Sequence, residues 1–397
     1  MDLALKDVRR HVGKFVATIA GVALLLTIVL LMNGIYQGNI ADGVWLIEHT
    51  ATDLWVVERG RGGPFNESSR LPADSHRSVA ATPGVAQASP LAVYPAQREL
   101  GGRSQQFTII GYDVFGGLGG PGRIVRGRTL ETAHDEAVLD SKLGVEIGET
   151  VVFGTRRFAV VGLTQGAVDA AGSPLVYLSL ADAQQAQFQQ DPRALVAARE
   201  AGRQRLQRAG YQDEQAARLL PLLAPAADSV NTVLVKLAPG ADATAVAQHM
   251  RDWLHFNVYT SAEERALMLE GRLSRMSAVL GLFRALLVVV SIVIIALIVY
   301  VLTIEKIRAI ATLKLIGAPN LVIVRMILEQ SLALTLGSFA LAYGLRALAA
   351  PVFPRTLAFL PHETAATFAV MLAGGVLASM MAIWHALRTP PQMALGG

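Results

Sequence analysis

Cysteine is absent from this 397-residue chain, and charged residues make up only 17% of it. Without cysteine, the chain cannot form disulfides, use a thiol in catalysis or bind a metal through sulfur. Soluble proteins usually carry about a quarter of their residues as Asp, Glu, Lys or Arg. The low charge, the 52% share of hydrophobic residues and the mean hydropathy of +0.42 together indicate a membrane protein.

Motifs for nucleotide, metal and nucleophilic chemistry are missing as well. The sequence has no GxxxxGK[ST] phosphate-binding loop, no HExxH pair and no GxSxG elbow, and its eight histidines are scattered. Gly117–Gly122 matches GxGxxG, but Pro121 and the following RIVRG do not open the helix that a dinucleotide site requires. The net charge of +4 comes without a basic, aromatic-interleaved patch, which argues against nucleic acid. We therefore expect no catalytic residues, no bound cofactor and no metal site in this chain.

Four apolar segments are long enough to cross a bilayer as helices. The clearest, Ala285–Ile304, contains no charged residue. The spacing predicts an α-helical membrane protein with four transmembrane helices and a large α+β extracytoplasmic (periplasmic) domain between the first two. The predicted segments are a surface helix over 1–14, spans over 15–36, 276–304, 322–350 and 365–387, the periplasmic domain over 37–275, a cytoplasmic loop over 305–321, a periplasmic loop over 351–364 and a cytoplasmic tail over 388–397.

Basic residues beside the spans set the predicted orientation, because the positive-inside rule places them in the cytoplasm. Both termini of this multi-pass chain then lie in the cytoplasm, and residues 37–275 lie outside. Ahead of the first span, Leu5 and Val8 share one helical face and Lys6 and Arg10 another, which is typical of a helix on the membrane surface. The basic residues are Lys6, Arg9, Arg10, Lys14, Lys306, Arg308, Lys314, Arg325 and Arg388.

The domain between the first two spans reads as two α+β halves separated by a β-rich insertion over about 111–179. Helices are predicted over 75–81 and, after an Asp242 cap, to about Leu254. Ser261 begins SAEE, so Glu264 predicts a capping box and one long helix that runs into the second span. The predicted strands are Asp53–Val57, Phe107–Gly111, Ala137–Asp140, Thr150–Phe153, Phe158–Leu163, Leu175–Ser179, Val233–Leu237 and Asn257–Thr260.

Residues 191–227 differ from the rest of this domain, because they are rich in Ala, Arg and Gln and poor in large apolar side chains. This composition is typical of an exposed helical hairpin or a mobile loop, and a docking surface for a partner is the alternative interpretation.

Charges and small residues within the spans are candidates for special roles, since a charge at mid-membrane costs about 2.5–3.5 kcal/mol on insertion scales. Glu329 lies one turn after Arg325, so the pair forms either a local ion pair or, for Glu329, a contact with another helix in a dimer. Arg284 and Arg346 fall near span ends, where contact with lipid headgroups is expected. Small residues that permit close helix packing are Ala17, Gly21, Gly374, Gly375, Ala378 and Ser379.

The loop between the second and third spans, Glu305 to Ala318, reads EKIRAIATLKLIGA. Its large apolar residues spread around a helix axis, which favours a segment wedged between the membrane and a docked protein. The loop resembles that of MacB/FtsX/LolC-type ABC transporter permeases, whose consensus is close to ERxREIGxLRALGA. Ala309 and Ala311 depart from the usual Glu and Gly, so no contact of that Glu is carried over. The matching residues are Glu305, Lys306, Arg308, Ile310, Leu313, Lys314, Gly317 and Ala318.

The resemblance extends over the whole chain. Topology and the ending Arg388, Pro391 and Ala394-Leu395 are similar to the family's, and DLWVVERGRGGPFNESSR, from Asp53 to Arg70, looks like the DevC-type branch. The resemblance implies a homodimeric, multi-pass permease subunit of the bacterial inner (cytoplasmic) membrane, without its own ATPase site. Two copies of a separate ATPase subunit, which bind ATP and Mg, would rest on the eight matching residues.

In this family, ATP-driven movement passes to the periplasmic domains and expels material already outside the membrane, a process called mechanotransmission. The resemblance implies export of a hydrophobic or amphipathic substrate, together with a HlyD-type periplasmic adaptor and an outer-membrane channel. The alternative is a non-transporting signal transmitter that activates a periplasmic partner enzyme. A third class, an intramembrane enzyme, lacks a nucleophile, base or metal set in this sequence.

Overall fold

The computed structural model describes residues 12–190 apart from 66, 68, 101 and 155, isolated positions between 200 and 215, and residues 229–388 apart from 354 and 355. Most of the predicted surface helix over 1–14, most of the 191–227 segment and nearly all of the 388–397 tail lie outside the described residues. The chain forms two compact units. One comprises residues 1–39 and 276–397, and the other residues 40–275.

Four described helices are long and apolar enough to span a membrane. The first, α1, runs unbroken from Val12 to His49, beyond the predicted end of its span at residue 36. The described helices are α1 Val12–His49, α2 Ser75–Ala80, α3 Leu180–Gln190, α4 Ala243–Leu254, α5 Ser261–Glu270, α6 Arg272–Glu305, α7 Ile307–Leu315, α8 Asn320–Ala349 and α9 Pro361–Arg388.

The helical unit packs around a buried apolar core, while many Leu and Val side chains remain on its surface, as expected where helices face lipid. Small residues let α9 approach its neighbours. A Cβ at Gly374 would lie 2.6 Å from Ile292 of α6, and the Ser331 hydroxyl of α8 donates a 3.0 Å hydrogen bond to the Gly375 carbonyl. Ala378 and Ser379 are buried on the same helix. Core members from each spanning helix include Leu26, Leu30, Ile295, Val299, Ile323, Ile327, Met371 and Ala382.

The second unit is built on one mixed sheet in the order β12-β1-β11-β3-β4-β9-β6-β8-β5, with β7 paired to β8 and a separate β2–β10 pair. Strand β1 lies between β11 and β12, and α4 connects these two strands. The strands are β1 Leu54–Val57, β2 Leu71–Pro72, β3 Val85–Leu100, β4 Arg103–Tyr112, β5 Ile124–Gly127, β6 Glu136–Asp140, β7 Thr150–Phe153, β8 Arg156–Thr164, β9 Leu175–Ser179, β10 Ser229–Val230, β11 Thr232–Leu237 and β12 Asn257–Thr260.

The mixed α/β character predicted for this unit is confirmed. The strands of the β-rich stretch predicted over about 111–179 continue the same sheet, because β9 pairs with β4 in parallel. One strand differs from the prediction. The 16-residue strand β3 was largely missed. It contains Pro90 and Pro95, and proline normally argues against a central strand because it cannot donate a ladder hydrogen bond.

The junction between this unit and the second span also differs from the prediction. The capping box is formed one residue earlier, by the N-cap Thr260 and Glu263, whose carboxylate accepts from the Thr260 amide at 2.8 Å. The single long helix is wrong, because α5 ends at Glu270 and α6 starts at Arg272. Gly271 separates them with φ −90° and ψ −97°, which no α-helix accommodates.

Glu264, freed from the cap, is fully buried in the second unit. Its carboxylate lies against Gly63, where φ is +87° and an added side chain would collide with the carboxylate oxygens. Neither oxygen has a hydrogen-bond partner among the residues that the structure describes. Burial therefore raises the pKa of Glu264 to about 8.

We predict that Glu264→Gln stabilises the protein as the pH rises. Below pH 4.5, the ordinary pKa, Glu264 is neutral in both folded and unfolded chains, so its charge has no effect. Between pH 4.5 and about 8 the unfolded chain releases the proton and the folded chain retains it, so the wild type loses about 1.4 kcal/mol for each pH unit. Thermal unfolding of the full chain at pH 5 and pH 8 measures the difference. Glu270→Gln, on the exposed end of the same helix, is the control. Equal pH dependence in wild type and Glu264→Gln would contradict the prediction.

Candidate functional site

The short helix α7 follows α6 after one non-helical residue, Lys306. It ends because Gly317 adopts φ +92°, where its amide donates to the Lys314 carbonyl at 3.1 Å and the Ala318 amide donates to the Leu313 carbonyl at 3.0 Å. Pro319 then precedes the first residue of α8. The sequence LKLIGAP therefore encodes a helix stop and a reversal, which presents α7 at one end of the bundle.

One face of α7 belongs to the bundle core. Ile310 and Ala311 are completely buried, and Ile310 is part of the apolar cluster to which all four spanning helices contribute. Leu313 is half-buried. Because α7 is anchored by this face, it is held by the helices and is not a free loop.

The basic residues of α7 differ in what they contact. Lys314 Nζ donates to the carbonyls of Ala386 and Leu387, at 3.1 and 2.8 Å, in the last turn of α9. Lys306 Nζ donates to Gln330 Oε1 of α8 at 3.2 Å. Of the three, only Arg308 has an exposed side chain. Both lysines therefore fasten α7 to neighbouring helices, and their assignment as docking contacts stays a prediction.

Glu305, the last residue of α6, pairs with Lys14 of α1 at 3.4 Å. Both side chains are about half exposed or more, so the pair itself adds little stability. It nevertheless places the start of α1 beside the end of α6, on the same end of the bundle as α7.

The opposite face of α7 is exposed and largely apolar. Ile316 is 79% exposed and Leu315 47%, and Leu321 at the start of α8 is 76% exposed. Gly317 is exposed and Ala318 half-buried in the turn between them. We call the exposed set the α7 face; it comprises Arg308, Ala309, Thr312, Leu315 and Ile316. The sequence places Leu315 and Ile316 in the apolar segment expected against a docked protein, but they were not among the eight residues matched to the family loop.

At the other end of the bundle, Arg284 of α6 joins three helices. Its guanidinium donates to Asn33 Oδ1 of α1 at 2.8 Å, pairs with Glu363 of α9 at 3.4 Å and lies 5.6 Å from the ring centre of Tyr36. Asn33 is buried. Arg284 is therefore an interhelical contact within this chain, and the headgroup contact expected from its position near a span end stays a prediction.

Arg346 of α8 is held by aromatic rings at the same end. Its guanidinium lies 3.8 Å from the ring centre of Tyr343 and 4.5 Å from that of Phe359. Phe359 belongs to residues 356–360, which we call the strap. Arg346, too, has partners within the protein, and its expected headgroup contact stays a prediction.

The strap crosses α1 at two glycines spaced four residues apart. The Ala358 amide donates to the Gly34 carbonyl at 3.1 Å, and a Cβ at Gly34 would lie 2.6 Å from Phe359 Cε1. A Cβ at Gly38 would collide with the Thr356 carbonyl oxygen. This GxxxG pair was not predicted, although its spacing marks a helix face that another segment approaches closely.

The remaining candidate residues occupy simpler environments. Arg325 Nε lies 2.8 Å from Glu329 Oε1 within α8, which is the local ion pair. On α1, Ala17 and Gly21 are exposed, and a Cβ at Gly21 would meet no atom within 4 Å. These two small residues therefore make no close helix contact within the bundle. Among the described residues, no group of three His, Asp or Glu side chains could hold a metal ion.

Two family models match the chain. Residues 15–253 match the MacB-like periplasmic core domain, and residues 281–391 match the FtsX-like permease C-terminal domain. These models, together with four helices able to span a membrane and an α/β domain after the first, define the chain as a multi-pass permease of the ABC transporter class. More particularly, it belongs to the MacB/FtsX family, since the first model alone covers more than half of its length. The resemblance inferred from the loop at 305–318 is confirmed.

Related permeases and solved domains are similar to this chain. An ABC transporter permease of Mycobacterium bovis is 25% identical over 396 residues, and one of Mycobacterium tuberculosis is 24% identical over 397, each covering 99% of both chains. The periplasmic region of MacB from Actinobacillus actinomycetemcomitans matches 54% of this chain and 92% of its own at 15% identity and TM-score 0.34. The extracellular domain of the noncanonic ABC-type transporter YknZ matches 52% and 99% at 11% identity and TM-score 0.32. At these TM-scores the assignment rests on the family models.

We predict that Gly38→Ala destabilises the bundle, because the added methyl group must displace the strap. Overpacking of this kind costs about 1–3 kcal/mol, which lowers the unfolding temperature by roughly 3–10 °C. Gly13→Ala is a matched control on the same helix, because its methyl group meets nothing within 4 Å. Thermal unfolding in detergent compares the two variants with the wild type. An unchanged unfolding temperature for Gly38→Ala would show that the strap does not hold α1 tightly.

Proposed function

We propose that this chain is the permease subunit of an ABC transporter, and that a separate ATPase subunit docks on the α7 face. The observation that carries the proposal is the exposure of Leu315, Ile316 and Leu321 beside Arg308 on an otherwise anchored helix. Burying a large apolar side chain contributes about 1.5–3 kcal/mol, so this surface favours a protein partner over water. Arg308 adds a positive charge that an acidic residue of the partner can pair with.

ATP and Mg belong to the partner in this proposal, because the sequence has no phosphate-binding loop. Movement of the ATPase reaches the membrane through the contacts of α7. Lys314 links α7 to the end of α9, and Lys306 links it to Gln330 of α8. The Lys14–Glu305 pair adds α1 and α6 at the same end. A displacement of α7 is therefore passed to every spanning helix.

The proposed orientation places α7 and both termini in the cytoplasm and the MacB-like domain in the periplasm of a bacterial inner membrane. The cargo is a hydrophobic or amphipathic substrate that is expelled from outside the membrane. A HlyD-type adaptor and an outer-membrane channel complete the exporter. Basic residues beside the α7 end support this orientation through the positive-inside rule.

Two permease copies form the functional unit in this proposal, with two ATPase subunits beneath them. The small residues of α1 support a second copy, because Ala17 and Gly21 line an open groove of about 650 Å³ together with Leu297 and Val301 of α6. Small residues on an open face let a helix of another copy approach closely.

We predict that Arg308→Glu combined with Ile316→Asp reduces recovery of the co-expressed ATPase by about ten-fold or more, because two contacts of the α7 face are lost. The measurement is quantitative co-purification through a tag on the permease. Charge reversal at Lys306 or Lys314 would also break a contact within the bundle. The Arg308→Glu and Ile316→Asp substitutions therefore test docking separately from folding. Arg103→Glu combined with Phe115→Asp, both exposed in the other unit, makes the same change in net charge and is the control. Full recovery of the ATPase with a correctly folded Arg308→Glu and Ile316→Asp variant would contradict the docking assignment.

We predict that the α7 face and the α/β unit lie on opposite sides of the membrane. The cysteine-free chain allows single reporters, Arg308→Cys and Phe115→Cys, the latter at a position 79% exposed. A membrane-impermeant maleimide added to intact spheroplasts should label Phe115→Cys and leave Arg308→Cys unlabelled until the cells are lysed. Labelling of both variants from outside would overturn the topology.

A further inference from the structure

The α/β unit contains a cavity of about 350 Å³ that the proposed docking on α7 does not use. Its floor is one face of the β3–β4 pair, where Val93 and Pro95 lie across from Thr108 and neighbouring residues. Apolar walls come from Leu46 near the end of α1 and Met268 of α5. The volume lies within the range of small-molecule sites, which combine apolar walls with a few placed polar groups.

Asp169 supplies the best-positioned polar group of this cavity. Its carboxylate accepts from the Thr108 hydroxyl at 2.6 Å and from the amides of Ala171 and Ser173, both at 2.8 Å. These bonds fix the carboxylate in a tight turn at the cavity wall. The described residues provide no ion-pair partner for it within 4 Å, so its negative charge is balanced only by hydrogen-bond donors.

The charge of the cavity has a single sign. Glu67 also lines the cavity, and its side chain is half exposed. The nearest cation is Arg61, whose Nη1 lies 3.9 Å from Glu67 Oε2. Among the described residues that line the cavity, none is Lys, Arg or His. A carboxylate that is held in place beside an apolar wall favours a ligand with both a cationic group and a hydrocarbon body. The cationic group pairs with the carboxylate, and the hydrocarbon body covers the apolar wall.

We propose that this cavity binds an amphipathic organic cation, with the ammonium group at Asp169 and Glu67 and the apolar body against Leu46, Phe65 and Met268. The proposal goes beyond the proposed function, because it concerns a ligand site of the α/β unit and stands on the cavity alone. Leu46 belongs to α1 and Met268 to α5. The ligand would therefore also contact the helices near the N-terminal and C-terminal ends of this unit in the sequence.

The test uses the full chain in nanodiscs and the absence of native cysteine. Gln106 lines the cavity and is exposed, so Gln106→Cys gives a thiol whose alkylation by N-ethylmaleimide a bound ligand slows. The probes share one apolar body and differ in charge: 4-phenylbutylammonium, 4-phenylbutanol and 4-phenylbutyrate. Val125→Cys, exposed on β5 and outside the cavity, reports effects of the probes that are not due to the site.

We expect the ammonium probe to protect Gln106→Cys at concentrations about ten-fold lower than the alcohol, with no protection by the carboxylate, since a charged hydrogen bond is worth about this factor or more. Val125→Cys should react equally in all cases. Adding Glu67→Gln or Asp169→Asn should weaken protection by the ammonium probe about ten-fold and leave the alcohol unaffected.

Equal protection by all three probes, or none by the ammonium probe up to about 10 mM, would overturn the proposal. Because Asp169→Asn can disturb the turn that it holds, Glu67→Gln decides the case if that variant does not fold. An unchanged affinity of Glu67→Gln for the ammonium probe, together with an unchanged affinity of folded Asp169→Asn, would also refute it. The outcome is independent of ATPase docking, since no arm of the experiment involves the partner.

Discussion

Hydrocarbon offers no hydrogen-bond partner, and this constraint explains how the spanning helices are held together. Arg284 and Arg346 at one end, and Lys306 and Lys314 at the other, each contact groups of the protein. Such charges are expensive near a bilayer, and each one here joins two or more segments. The bundle is thus fastened at both ends by cations, while its middle is packed by small and apolar residues.

The two ends of the helical bundle differ in which surfaces remain exposed. At the end opposite α7, the strap and the Arg284 contacts enclose α1 through Asn33, Gly34 and Gly38. At the α7 end, the lysines point inward and leave an apolar surface outside. A helix such as α7, which is packed on one face and exposed on the other, is suited to bind a partner and to move with it. This asymmetry supports the α7 face as the docking surface.

The sequence predicted most of the strands, because apolar runs between Gly and Pro turns report on local structure. It failed where distant contacts overrule a local pattern. Pro90 and Pro95 hid the long strand β3, and Glu264 was assigned to a cap that Glu263 makes. At α7, the consensus located the helix but not its exposed side. Matching residues such as Ile310 and Lys314 serve the fold, whereas Ile316 is exposed because of how α7 packs, which no spacing rule gives.

The interruption at Gly271 has a mechanical consequence. A continuous α-helix resists twisting about its own axis because each turn is bonded to the next, whereas a break in the ladder at one residue removes that resistance there. Helix α1 is continuous from Val12 to His49, and the α5–α6 pair is not. The chain therefore enters the sheet-bearing unit through an unbroken helix and leaves it through a helix pair that is interrupted at Gly271, so only the first connection has a continuous ladder that resists rotation about its axis.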